Sequence, residues 1–309
     1  MIETAERIIK VKKPSIIVMH DEYGALQMSF LYASKKFKIS TLSLQHGTIY
    51  QNAFAYTHKD SDINNDVTEL DFPLPDRMCV WSESAKNALI TSAKFPITVP
   101  IVTGDPKMNS LNKNKFKREK ILKNFKIPSD KKIILFATEN LPSNEERDLI
   151  SHTIFESISM IKDCFFIVKV HPNETDISKY HKIAEKFKVS SYMIIKDANP
   201  YELIHVSDIV IISYSTVGLE AMRMSKPVIS LNLMGYHDES IIIKNNLASI
   251  VRTKKELIPT ITELLVDQNK EKIEYAKNFA EQELGSIYQD ATEKIVKNIL
   301  ELKNSENRF

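Results

Sequence analysis

The residue types best suited to phosphate chemistry stand directly after short apolar runs in the second half of the sequence. His171 follows the run Phe165–Val170 and precedes Pro172. Because a proline restricts the residue before it to extended backbone, the imidazole would be aimed by rigid chain, and it could donate a hydrogen bond to a diphosphate. The alternative is a structural histidine, and no second ligand stands at the spacing of a metal site.

Hydroxyl groups follow a later apolar run, Ile209–Ile212. The candidate phosphate ligands there are Ser213, Ser215, Thr216 and Gly218. A helix that begins in this segment would offer free N–H groups and a partial positive charge to a phosphate. The alternative is that one hydroxyl merely caps the helix. Three hydroxyls, a glycine and a nearby Glu220 favour a ligand site, since one cap needs one hydroxyl.

Two apolar runs in the first half also end at histidines. Thr41–Leu44 leads to His46, and Ile16–Met19 leads to His20, Asp21 and Glu22. A carboxylate beside a histidine can orient it as a general base, which makes His46 and Asp21 the candidate catalytic residues. The alternative for both carboxylates is that they cap the helix that follows.

The elements that would carry these residues alternate between short strands rich in Ile and Val and longer segments of helical period. This alternation predicts an α/β fold class with two Rossmann-like, doubly wound domains and a cleft between them. Ligands of such sheets bind beyond the carboxyl ends of the strands, where all the candidates stand. In the first domain we predict strands at 15–19, 41–44, 78–81 and 98–102, with helices at 24–37, 83–93 and 106–111.

The second domain is predicted to be the larger one. Its strands are expected at 133–137, 165–170, 192–195, 209–212 and 228–231, with helices at 144–161, 177–187, 200–206 and 216–224. The basic stretch 112–132 is interpreted as the connection between the domains, and helical patterns follow at 254–266 and 269–302. The predicted limits are 1–115 for the first domain, 130–270 for the second and 271–309 for the C-terminal helices, which we expect to pack across.

Composition excludes several classes of protein. The 42 basic and 40 acidic residues nearly cancel, which disfavours a nucleic-acid partner. Apolar runs are far shorter than the roughly 20 residues of a membrane span, and no secretory segment opens the chain, so we expect a cytoplasmic protein. Cys79 and Cys164 are expected to be buried thiols. The stretch 113–126 is either a solvated helix face, the favoured reading, or a peripheral contact with anionic lipid.

Four segments together resemble the GT-B superfamily. They are 45–48, with the sequence Gln-His-Gly-Thr, and 134–138, 170–172 and 208–229. Within it, the sequence is most similar to the CDP-glycerol glycerophosphotransferase and capsule or surface polysaccharide transferase group, and more distantly similar to UDP-N-acetylglucosamine 2-epimerases. The likeness covers most of the chain. The motif at 208–229 is fairly specific, whereas each histidine motif is weak alone.

The resemblance implies a metal-independent transferase without a cofactor, whose substrate is a CDP-, CMP- or UDP-activated donor held mainly by the second domain. The phosphates would be bound by His171, Ser213, Ser215, Thr216 and Gly218. Glu220 would bind a ribose hydroxyl, and Thr138 and Asn140 the base. His46 would serve as the base or as a second phosphate contact, with a saccharide or lipid-linked acceptor in surface polysaccharide synthesis.

The resemblance leaves alternatives open. The first domain is shorter than is usual in this group, as in a fragment, a minimal version, or a protein whose partner subunit completes the domain. A UDP-sugar 2-epimerase-like enzyme would need cleft carboxylates, for which Asp21, Glu22 and Glu220 are the candidates. A non-catalytic nucleotide-sugar-binding protein, or half of a two-component transferase, is the third reading.

Overall fold

The computed structural model describes residues 1–50, 56, 72–111, 116–139, 141, 143–285 and 290–305. The chain forms two compact units. The first consists of Met1–Ser110 together with Gln282–Phe309, and the second of Leu111–Glu281. Both have a parallel sheet with helices in the connections, so the predicted α/β fold class is confirmed.

The first unit is built on a four-stranded parallel sheet in the order β1-β2-β3-β4. Its strands are β1 (Ile17–His20), β2 (Thr41–Leu44), β3 (Arg77–Val80) and β4 (Pro100–Val102). Its helices are α1 (Ile2–Lys12), α2 (Ala25–Phe37), α3 (Glu83–Thr91) and α12 (Ala291–Ser305), with a 3-10 helix at Pro106–Leu111. Ala33 packs with residues of α1, and Cys79 packs with Ile295 of α12.

The second unit is built on a six-stranded parallel sheet in the order β10-β9-β8-β5-β6-β7. Its strands are β5 (Lys132–Ala137), β6 (Cys164–Lys169), β7 (Tyr192–Ile195), β8 (Ile209–Ile212), β9 (Val228–Leu231) and β10 (Ser249–Val251). Its helices are α4 (Arg118–Phe125), α5 (Asn144–Ser159), α6 (Ser178–Lys186), α7 (Pro200–Val206), α8 (Thr216–Arg223), α9 (Ile241–Lys244) and α10 (Lys254–Val266). Helix α11 (Lys270–Leu284) contains the boundary between the units, since the second unit ends at Glu281 and the first unit resumes at Gln282.

Most of the predicted elements are present within one or two residues of the expected bounds. The interpretation of 112–132 as a connection is wrong, because Arg118–Phe125 forms α4, which packs against α7 within the second unit. The helical pattern at 269–302 is interrupted at Gly285, whose φ of 88° is one that glycine adopts readily. Cys79 and Cys164 are buried and free, as predicted.

The position of β5 brings the candidate residues of the second unit together. This strand pairs with β6 on one side and with β8 on the other, with Ala137 opposite Lys169 and Phe136 opposite Ile211. All three strands run in parallel, so their carboxyl ends meet at one edge of the sheet. The residues just after β5, β6 and β8 are therefore neighbours, as the strand assignments predict.

Candidate functional site

Thr138, the residue directly after β5, joins the ends of β5 and β6. Its hydroxyl oxygen accepts the N–H of His171 at 2.8 Å and its proton is donated to the buried carboxylate of Glu174. Glu174 also accepts from Lys179 at 2.5 Å and from the hydroxyl of Tyr180 at 2.8 Å. Burial alone would raise the pKa of Glu174, but these three donors lower it below its ordinary value. The Thr138 side chain is therefore committed to the protein itself.

Glu139, the next residue, reaches in the opposite direction, towards the turn between β8 and α8. One carboxylate oxygen, Oε1, accepts the backbone N–H groups of Ser213 at 2.6 Å and of Tyr214 and Ser215 at 3.2 Å each. The side chain is only 8% exposed. Burial raises the pKa of Glu139 to about 7, against the lowering effect of the three N–H donors. The consecutive residues Thr138 and Glu139, here called the β5 clasp, thus bond both neighbouring strand ends.

His171 stands at the end of β6 with one ring nitrogen already engaged. Its Nδ1 accepts the backbone N–H of Asn173 at 3.1 Å. In the neutral imidazole the proton is then carried by Nε2, which becomes a hydrogen-bond donor. Burial lowers the pKa of His171, with Glu174 acting in the opposite direction. A neutral ring with a donating Nε2 and a backbone fixed through Thr138 is well suited to a phosphate oxygen.

At the start of α8, Ser215 caps the helix and its hydroxyl can still donate a hydrogen bond. Ser215 is the N-cap, and its Oγ accepts the Val217 N–H at 3.3 Å. The capping alternative is therefore realised, yet a hydroxyl that accepts as a cap keeps its own proton for another acceptor. Thr216, the first residue of the helix, is partly exposed beside it. The two hydroxyls remain suited to a phosphate.

Gly218 has a packing role in this structure. A Cβ at this position would lie 2.6 Å from the Cδ1 atom of Ile212 and 2.7 Å from that of Ile242. Such distances are far below normal van der Waals contact, so the absence of a side chain lets α8 lie close against β8 and α9. Close helix packing explains the glycine without a ligand.

The other candidates of this edge are deeply buried or fall outside the described residues. Ser213 is 2% exposed, and its N–H is taken by Glu139. Glu220 is 4% exposed on the second turn of α8. Asn140 lies outside the described residues. The nearby Tyr214 is 37% exposed, and its ring stacks on His237 with 4.1 Å between the centroids.

In the first unit, His46 has a tyrosine as its partner. The hydroxyl of Tyr23 lies 3.3 Å from His46 Nδ1, and the ring of Tyr23 packs edge-on against Tyr56. Burial lowers the pKa of His46, with Asp21 acting in the opposite direction. When Nδ1 donates to the tyrosine oxygen, Nε2 of a neutral imidazole is free to accept a proton. His46 therefore has the charge state of a general base.

Asp21 contacts the other histidine of this cluster. Its Oδ2 lies 3.1 Å from Nδ1 of His20, and its Oδ1 accepts the Gly24 N–H at 3.4 Å near the start of α2. The ring centroids of His20 and His46 are 5.9 Å apart, and the charge of Asp21 acts to raise the pKa of His46. Glu22 is 1% exposed, and burial raises its pKa to about 7.

The described part of the chain holds no group of three or more His, Cys, Asp and Glu side chains arranged to bind a metal ion. Within the same residues, no helix has the length and apolar character that crossing a bilayer requires.

The sequence from residue 3 to residue 301 matches the family model for CDP-glycerol:poly(glycerophosphate) glycerophosphotransferase. The chain belongs to this family. The predicted resemblance is confirmed, and so is the predicted class, a transferase that uses a nucleotide-activated donor. A comparison with curated protein sequences gives no match.

Solved structures with the same fold include both transferases and epimerases. S. aureus MnaA in complex with UDP is similar at 17% identity and a TM-score of 0.66, over 96% of this chain and 78% of that one. The Neisseria meningitidis UDP-GlcNAc 2-epimerase bound to UDP-GlcNAc is similar at 19% identity and a TM-score of 0.62, over 97% and 80%. The wall teichoic acid polymerase TagF is similar at 16% identity and a TM-score of 0.60, over 90% and 72%. The GT-B fold of the glycerophosphotransferase family member is thereby confirmed.

Two residues of the site escape the sequence reasoning. Glu139 directly follows a buried strand, but its contact partners lie more than 70 positions further along the chain, so no local pattern connects them. The signal available was its position directly after β5, the first strand of the second unit. Tyr23 meets His46 only because β1 and β2 are adjacent in the sheet.

Proposed function

We propose that this transferase moves a polyol-phosphate or glycosyl group from a nucleotide-activated donor to a hydroxyl of a saccharide or lipid-linked acceptor. The family description makes CDP-glycerol the first donor to test. The observation that carries the donor assignment is the β5 clasp, which bonds the backbone of His171 on one side and of Ser213–Ser215 on the other. These bonds fix, at one sheet edge, the two elements that we propose bind the donor phosphates.

In this proposal the donor diphosphate is bound by donors that remain available at that edge. His171 offers Nε2–H, while Ser215 and Thr216 offer hydroxyl protons at the start of α8. Because the N–H groups of Ser213–Ser215 are already bonded to Glu139, they are excluded as direct phosphate ligands. Asn140 keeps its proposed role towards the base, whereas burial of Glu220, which is 4% exposed, disfavours the role towards the ribose that the resemblance implies. No cofactor or metal ion is required by this set of donors.

For a CDP-glycerol donor, the acceptor hydroxyl oxygen attacks the phosphorus atom that carries the glycerol. The new O–P bond forms while the bond from that phosphorus to the bridging oxygen breaks, and CMP leaves with the bridging oxygen. The proton of the acceptor hydroxyl passes to Nε2 of His46, which the lowered pKa keeps neutral and ready to accept it. His171 and the two hydroxyls stabilise the charge that develops on the departing phosphate.

Nucleotide release from CDP-glycerol and from a panel of CDP-, CMP- and UDP-activated sugars tests this function. We expect CMP release from CDP-glycerol only when a polymer or lipid-linked acceptor is present. His46→Ala should abolish turnover and leave donor binding intact, whereas His171→Ala should weaken donor binding. Binding of CMP or UDP without turnover of any donor would instead favour a non-catalytic nucleotide-binding protein.

The epimerase alternative is disfavoured by the burial of its candidate carboxylates. Elimination and re-addition at a sugar carbon needs carboxylates that reach the substrate. Glu22 is 1% exposed and Glu220 is 4% exposed, and the carboxylate of Asp21 is bonded to His20 and to the N–H of Gly24. A UDP-GlcNAc incubation that gave a 2-epimer would overturn this conclusion.

A further inference from the structure

The β8–α8 turn, residues Ser213–Ser215, is held by a single buried carboxylate. Three successive backbone N–H groups converge on Glu139, and all three donor–acceptor distances lie between 2.6 and 3.2 Å. Three N–H groups that point in one direction form an anion-binding concavity. In this protein the concavity is filled from inside the fold, because the Glu139 side chain is 8% exposed and Ser213 is 2% exposed.

This arrangement determines what the start of α8 can offer to a ligand. An internal carboxylate neutralises part of the positive charge at the helix start, and it occupies the N–H groups that a phosphate would otherwise use. At the surface, Ser215 and Thr216 present their hydroxyls, whose positions follow from the backbone of the turn. The affinity for a diphosphate would then depend more on the position of the β8–α8 turn than on the partial positive charge at the start of α8.

We propose that Glu139 is a positioning residue for the donor diphosphate, and this inference rests on the proposed function. The carboxylate fixes the β8–α8 turn to the end of β5, so that the hydroxyls of Ser215 and Thr216 stand in a set geometry towards His171. Thr138, the preceding residue, fixes the backbone of His171 from the same strand end. The two halves of the proposed phosphate site are thus held in position by two consecutive residues that directly follow β5.

Asp208 provides a matched control. It also uses a carboxylate to bond backbone across the β5–β8 pair, since its Oδ2 accepts the Ile133 N–H at 2.7 Å. It lies at the amino end of β8, at the opposite edge of the same two strands. Removing either carboxylate removes hydrogen bonds to backbone N–H groups between the β5 and β8 segments. Only Glu139 bonds the turn that would bind the donor.

The test is a calorimetric comparison of CDP and cytidine binding to the full-length protein and its variants. The ratio of the two affinities reports what the diphosphate contributes. We expect Glu139→Ala to reduce this ratio by about tenfold, with cytidine binding itself little changed, because an unfixed turn must be ordered on binding. Asp208→Ala should leave the ratio within about twofold, as expected for a site remote from the phosphate.

Two conservative variants keep the inference falsifiable if Glu139→Ala does not fold. Glu139→Gln retains an oxygen that can accept the same N–H groups, and the ratio should stay within about threefold of wild type. Glu139→Asp withdraws the carboxylate by one methylene, and we expect an intermediate loss of about three- to tenfold. A wild-type ratio in Glu139→Asp would overturn the inference.

The outcomes separate the inference from the function beneath it. If wild-type protein bound CDP no better than cytidine, the proposed donor site itself would be wrong. If wild-type protein preferred CDP and folded Glu139→Ala kept the same preference, only the positioning role would fall. A stronger preference for CDP in Glu139→Ala would also overturn it, since the phosphate would then be shown to compete with the carboxylate for the three N–H groups.

Discussion

Replacement of Thr138 by valine removes one hydroxyl from the β5 clasp and keeps the shape of the side chain. The N–H of His171 then loses its acceptor, and the buried carboxylate of Glu174 loses one of its three side-chain donors. An unsatisfied buried donor costs about 1–3 kcal/mol, and a lost hydrogen bond to a charged group about 1.5–3 kcal/mol. Allowing for partial solvation of the His171 N–H, we expect the free energy of unfolding to fall by about 2–4 kcal/mol.

Urea unfolding at neutral pH measures this loss, and Thr138→Ser is the matched control. Serine keeps the hydroxyl and loses only a methyl group, so its unfolding free energy should fall by at most about 1 kcal/mol. The valine variant should also bind CDP more weakly, because the backbone of His171 is no longer fixed. Equal urea midpoints for the valine and serine variants would refute the reasoning. A change in preference between cytosine and uracil donors with unchanged stability would instead restore Thr138 as a base contact.

Three further predictions concern Glu139, Gly218 and Tyr23. Burial raises the pKa of Glu139 from 4.5 to about 7, so the folded state holds a proton that the unfolded chain has released between these values. As the pH rises from 4.5 to 7, the free energy of unfolding of the wild type should therefore fall by up to about 3 kcal/mol relative to that of Glu139→Gln, as measured by urea unfolding at each pH. If the unfolding free energies of the two proteins changed with pH in parallel, the burial argument would be contradicted. Gly218→Ala should lower the unfolding free energy by about 1–3 kcal/mol, because the added Cβ overlaps two isoleucine side chains, and unchanged thermal unfolding would count against this packing role. Tyr23→Phe should lower kcat about tenfold with donor KM unchanged, as expected for one lost hydrogen bond to His46, and a changed donor KM would argue against an orienting role.

The strands and their ends could be predicted because they depend on local patterns. Runs such as Ile209–Ile212 are fully buried, and a continuous apolar run is typical of a central parallel strand. The same logic correctly brought His171 and Ser213 to one edge. The stretch that contains α4 was expected to be a connection with a solvated helix face, because its composition is strongly basic, whereas Ile121 and Leu122 of this helix are buried in the second unit.

The contacts within the site could not be predicted, since they depend on which residues meet across strands. The sequence predicts a phosphate at the start of α8, but it does not predict that Glu139 accepts the N–H groups of Ser213–Ser215 just before this helix. Gly218 stood out as a rare glycine near a ligand segment, but its neighbours are two isoleucines that only the fold brings close. Residue type indicated the chemistry correctly, and tertiary packing decided which groups remain available for it.

The central proposal is that His171 binds the donor diphosphate and that His46 acts as the base. The most direct test measures CMP release from CDP-glycerol in the presence of a poly(glycerophosphate) acceptor by wild type, His171→Ala and His46→Ala. We predict that the first variant raises donor KM about tenfold or more, and that the second lowers kcat at least a hundredfold with CDP affinity unchanged. Wild-type donor KM in His171→Ala, or wild-type kcat in His46→Ala, would contradict this assignment.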